Sequence, residues 1–129
     1  MTPRALGTDL VSVDRVRRVL TRHGDRFKSR CFSEAERADC ERTGLHRAAE
    51  RYAARFAAKE SVAKALGTGI ARGVTWRDIE VQLDSFGAPS IRVAGAASRR
   101  ASDLGIAGWL CSLSHTDRLA SATVIALGY

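Results

Sequence analysis

Glu60 and Lys64 stand one helical turn apart in the segment Arg55–Ile70, which reads RFAAKESVAKALGTGI. Residues at i and i+4 share a helix face. A carboxylate there can hold a hard divalent cation, and an ammonium can hold a phosphate oxygen. The turn Gly67-Thr68-Gly69 lets backbone approach a phosphorylated ligand closely. The pattern points to metal-assisted phosphate chemistry. The same residues also describe a plainer object, a surface helix with an i,i+4 ion pair and a glycine C-cap. Taken alone, they leave both readings open.

Two further runs carry candidate groups. Leu6-Gly7-Thr8-Asp9-Leu10-Val11 sets Asp9 ahead of a helical pattern, a place where the helix dipole by itself favours a carboxylate. Ser112-Leu113-Ser114-His115-Thr116-Asp117 sets His115 where an extended run gives way to a turn, and histidine also serves ordinary hydrogen-bonding roles. A hydrolytic triad of Ser114, His115 and Asp117 is a poor reading, because neighbours on a strand face opposite ways and a triad is a matter of geometry.

The chain has 129 residues and a net charge of +7, most of it from arginines that concentrate before Arg55. Such a surface favours acidic partners and fast, salt-sensitive association. Nucleic acid, an acidic protein and the phosphates of a small ligand all qualify. The cysteines Cys31, Cys40 and Cys111 form no CxxC pair, so neither disulfides nor zinc are expected, and small buried side chains are their default role. No apolar run reaches about 18 residues, so no membrane span is expected. Asp9 and Asp14 interrupt any N-terminal apolar stretch, which makes the cytoplasm the expected compartment.

The elements that must position these groups belong to a single domain over residues 1–129 of α+β class, with N-terminal helices packed on a small antiparallel sheet. A short strand ends at Asp9. Ser12 caps a first helix whose inner face is Val13, Val16, Val19 and Leu20, and Gly24 ends it. Ser33-Glu34-Ala35-Glu36 reads as a capping box that opens a second helix to about Arg42. A third, alanine-rich helix runs from about Arg47 to Leu66, with Tyr52, Phe56, Ala63 and Leu66 inward and Gly67 closing it. Beyond Gly73 the period changes: Ile79, Val81 and Leu83 alternate with polar residues as a half-buried strand should. Ile91–Val93 returns, Ala94–Leu104 reads as an exposed helix, and Trp109–Ser114 and Ala120–Leu127 pair through a turn. Trp76 and Trp109 fall in expected strands, where packing is the simpler role, and no RNP-like aromatic pattern supports nucleic-acid binding.

The Asp9, Glu60–Gly69 and His115 blocks, in this order and in a chain this short, resemble the holo-acyl-carrier-protein synthases, the small bacterial-type 4′-phosphopantetheinyl transferases. The resemblance covers nearly the whole chain, including Trp76-Arg77-Asp78-Ile79-Glu80-Val81 and Gly87-Ala88-Pro89. AAKE with KALGTGI is its specific part. It implies transfer of the 4′-phosphopantetheine arm of coenzyme A to a serine of an apo acyl carrier protein, releasing 3′,5′-ADP, with Mg2+. Asp9 and Glu60 match the metal ligands and Lys64 the lysine on the pyrophosphate. Gly67, Thr68 and Gly69 match the turn against coenzyme A, and Arg55 and His115 match its nucleotide end. The proton acceptor is open among Glu60, Asp9 and a metal-bound water. Arg15 matches an arginine that grips the carrier, and Arg18, Arg22 and Arg26 extend that basic face. The resemblance also implies a homotrimer with active sites at its subunit interfaces, to which Ala120–Leu127 and its partner strand could contribute. Alternatives are a catalytically silent coenzyme A-binding protein of the same fold and a small basic nucleic-acid-binding domain.

Overall fold

The computed structural model describes residues 1–45 and 47–129. In chain order the elements are β1 (Thr2–Ser12), α1 (Val13–Cys31), α2 (Glu34–Glu41), α3 (Ala48–Ala65), a single 3-10 turn (Trp76–Asp78), β2 (Ile79–Leu83), β3 (Pro89–Val93), α4 (Gly95–Asp103), β4 (Ile106–His115) and β5 (Leu119–Gly128). The strands form two antiparallel units, a sheet in the order β1-β5-β4 and the hairpin β2-β3.

The central core element is α3, which packs across β1 and β5. Ala120, Ala122, Val124 and Ala126 of β5 face it and are buried. Alanine makes up 8 of the 18 residues of α3, and the helix is buried nearly all round, including Arg55, Lys59 and Ser61. Small side chains make this possible, because they let backbone come against backbone. The surface-helix reading is therefore wrong: α3 lies within the core, and its polar residues are placed from within.

Two element boundaries shift. Helix α1 runs through Gly24 to Cys31 instead of stopping there. An interior glycine costs only about 1 kcal/mol relative to alanine. The second half of α1 more than offsets that, because Phe27 packs on Phe32 and Phe56, and Cys31 and Phe32 are buried. Strand β1 continues past Asp9 to Ser12, so Asp9 lies within the strand and not at its end. The remaining boundaries follow their local signals. Ser12 caps α1 by accepting from the Arg15 amide, and Ser33 and Glu36 form a complete capping box. Gly67 leaves α3 with φ 78°. Among the described residues no helix is long and apolar enough to cross a membrane.

Candidate active site

Gly7 sets the geometry. A Cβ built on it would lie 1.8 Å from the Ser61 carbonyl oxygen and 3.3 Å from the Ala65 amide nitrogen. Only a residue without a side chain lets β1 cross α3 at this distance. Two residues further along the strand the side chain returns to the same face, which turns Asp9 toward the last turns of α3. There the Lys64 ammonium donates to Asp9 Oδ1 and to the Thr8 carbonyl, each at 2.9 Å.

Glu60 lies one turn before Lys64, yet no bridge joins them among the described residues. Lys64 crosses to the strand, while Glu60 Oε1 accepts a hydrogen bond from the Trp76 indole at 3.1 Å. Asp9 and Glu60 line one cavity of about 280 Å³, together with Ser12, Arg15, Phe27 and Phe56. Asp9 and Arg15 thus meet Glu60, which is far from them in sequence, at one place, with Lys64 bridged to its rim.

The other candidates face elsewhere. Arg55 and His115 share a second cavity of about 400 Å³ with Arg47, Arg51 and Glu50. One Arg55 amino group pairs with the Asp39 carboxylate, and its buried Nε has no partner among the described residues. His115 Nδ1 lies 3.4 Å from Glu50 Oε2. Gly67 and Thr68 line a third cavity of about 410 Å³ with Arg72, Arg99 and Arg100. Arg15, Arg18, Arg22 and Arg26 are exposed along α1, and Arg18 makes only a 3.7 Å contact to Asp14. Within one chain the structure therefore gathers the carboxylates, Lys64 and Arg15, and leaves Arg55 and His115 in a separate half.

Asp9 and Glu60 suit a hard divalent cation. Each keeps one carboxylate oxygen free of protein hydrogen bonds among the described residues, Oδ2 of Asp9 and Oε2 of Glu60. Among the described residues, no group of three or more His, Cys, Asp or Glu gathers there to complete a protein cage. A cation held here would take its other ligands from water and substrate, which is the habit of magnesium at phosphate sites. The thiols offer no competing nucleophile. Burial pushes Cys31 and Cys111 up to about 11 and Cys40 to about 12.

Sequence reasoning passed over two participants. Lys59, next to Glu60 in sequence but projecting in another direction, is wholly buried. Its ammonium bonds Glu36 Oε1 at 2.7 Å and the Trp76 carbonyl at 3.1 Å. Burial pulls its pKa down, and the Glu36 charge opposes that shift. Trp76, expected in a strand, sits in the 3-10 turn and stacks on Phe56 with ring centroids 5.8 Å apart. A charged residue inside a run of alanines was the available clue to Lys59. Nothing local pointed to the indole contact.

A sequence model of the 4′-phosphopantetheinyl transferase superfamily matches residues 5–120. A holo-[acyl-carrier-protein] synthase of Methylobacterium radiotolerans is 47% identical over 124 residues, covering 93% of this chain and 90% of the relative. The crystal structure of the Neisseria meningitidis holo-[acyl-carrier-protein] synthase superposes with a TM-score of 0.85 at 32% identity, covering 98% of this chain and 99% of the other. That of Helicobacter pylori, solved in complex with coenzyme A, gives 0.82 at 27% identity, covering 95% and 99%.

Proposed function

This chain belongs to the 4′-phosphopantetheinyl transferase superfamily, and from that premise we propose that it transfers the 4′-phosphopantetheine arm of coenzyme A to a serine of an apo acyl carrier protein. The products are the holo carrier and 3′,5′-ADP. The carrier serine hydroxyl attacks the phosphorus that bears the pantetheine. The bond from that phosphorus to the bridging oxygen breaks, and the hydroxyl proton leaves to a base at the site. The observation that carries this reading is the convergence of Asp9, Glu60 and Lys64 beside Arg15, across a strand–helix crossing that only glycine permits.

Such a transfer is catalysed mainly by positioning and charge neutralisation. Asp9 and Glu60 would hold Mg2+, which would supply positive charge to neutralise the phosphates of coenzyme A. Lys64, fixed by the strand, presents its ammonium to the phosphate oxygens of the departing 3′,5′-ADP. The Gly67–Gly69 turn lies against the coenzyme. Arg15, with Arg18, Arg22 and Arg26 behind it, faces the acidic carrier, so the incoming serine reaches the carboxylates from the α1 side.

Arg55 and His115 lie in the second cavity and suit the nucleotide phosphates, and in the assembly proposed here a neighbouring copy of the chain supplies them. The sheet supports such an assembly. On the face opposite α3, Leu6 and Leu110 flank Ile125 in register, and Leu6, Leu10 and Leu110 are 64%, 65% and 55% exposed. A trimer closed through this face would bring one subunit's Asp9 side to another's His115 side. The unpaired cysteines accord with a reducing, cytoplasmic setting.

The test is release of 3′,5′-ADP from coenzyme A with and without apo carrier. Carrier-dependent release supports the transfer. Coenzyme A binding without release would favour a silent binder.

A further inference from the structure

We propose that Trp76 is a positioning residue for Glu60, its indole N–H fixing the carboxylate so that one oxygen stays free for a divalent cation. This rests on the metal role proposed above for Glu60. The indole nitrogen is a donor only, so its 3.1 Å contact can engage Glu60 only through a carboxylate lone pair, and it engages Oε1. The other oxygen, Oε2, stays free of protein hydrogen bonds among the described residues.

Trp76 is itself held from both ends. Its ring stacks on Phe56, one turn before Glu60 on the same helix. Its carbonyl accepts from the Lys59 ammonium at 3.1 Å. Lys59 is anchored in turn by Glu36, whose second oxygen accepts from the Val81 amide at 2.9 Å. A buried ion pair between α2 and α3 thus fixes the turn that carries the indole. An unrestrained glutamate would sample several rotamers and lose that freedom when a cation bound. Restraining it beforehand removes part of that cost, the usual effect of a partner that orients a metal ligand.

The test is Trp76→Phe, which keeps an aromatic ring against Phe56 and removes the N–H together with part of the indole. Mn2+ binding to the coenzyme A-loaded protein, followed by electron paramagnetic resonance with no carrier present, reads the site without turnover. The expected result is affinity weaker by about tenfold, with an unchanged melting midpoint in chelator. In a Glu60→Gln background the same change should have no further effect. Native Mn2+ affinity in Trp76→Phe, or an equal loss in both backgrounds, overturns the proposal. If Glu60→Gln alone leaves Mn2+ affinity intact, it is the metal role of Glu60 that fails. Should Trp76→Phe not fold, the two indole 15N–1H resonances of the otherwise native chain decide. Glu60→Gln should move that of Trp76 and leave that of Trp109, and an unmoved Trp76 signal overturns the proposal.

Discussion

Lys59 and Lys64 lie five residues apart on α3 and have opposite tasks. The Lys64 side chain is 52% exposed, and its ammonium bridges Asp9 and the Thr8 carbonyl at the rim of the site. Lys59 is sealed in the core against Glu36. Half-exposed bridges contribute little stability, whereas a donor aimed at developing charge is worth about 10²–10³ in rate. Lys64→Ala should therefore lower kcat by about two to three orders of magnitude and leave the urea midpoint almost unmoved. Lys59→Met should do the reverse to stability, costing about 3–5 kcal/mol because Glu36 keeps a buried, unpaired charge. Steady-state rates and urea unfolding on the two variants separate these outcomes. Equal stability losses would contradict the assignment. The sequence made Lys64 readable through its spacing from Glu60 and the glycine turn, although its partner proved to be Asp9. Lys59 was hidden because an alanine-rich helix shows little periodic contrast between faces.

At the scale of elements, two glycines make opposite predictions. Gly7→Ala forces Cβ into the Ser61 carbonyl. It should destabilise by about 1–3 kcal/mol or more and, by pushing β1 off α3, part Asp9 from Lys64. Gly24 lies inside α1 with open space around it, so Gly24→Ala should stabilise by about 0.5–1 kcal/mol with activity retained. Thermal melts and rates on both variants check this. A harmless Gly7→Ala would mean that the crossing does not position the site. The same two residues show what local pattern could convey. The capping box at Ser33, the alternation of β2 and the glycine end of α3 are local signals, and they hold in the fold. Gly24 misled because tertiary packing of Phe27, Cys31 and Phe32 overrides a local stop signal. Gly7 gave no sign of its role, since a backbone crossing between residues so far apart in sequence leaves no periodic trace. The indole contact of Trp76 was hidden for the same reason.

At the scale of the whole molecule, charge and shape make separate claims. The net charge of +7 is carried partly by the exposed α1 arginines. Arg15→Glu should raise the KM for the carrier about tenfold or more and leave that for coenzyme A unchanged, with the difference shrinking as salt rises. Equal loss for both substrates would contradict a docking face on α1. The open apolar face of the β1-β5-β4 sheet predicts self-association, and the trimer proposed above should appear in sedimentation velocity. A charge at Leu110 should dissociate it, and activity should fall with it, because the Asp9 and His115 halves lie in separate cavities of one chain. Full activity in a stable monomer would show that one chain completes the site.

The central claim, metal-dependent transfer through Asp9 and Glu60, is tested most directly by the intact mass of an apo acyl carrier protein incubated with the enzyme and coenzyme A. With Mg2+ the carrier should gain one phosphopantetheine arm. It should gain none in chelator, and almost none with Glu60→Gln. Arm transfer that persists in chelator or with Glu60→Gln would contradict the carboxylate site. No transfer to carriers of either fatty-acid or polyketide type by the folded enzyme would contradict the activity itself.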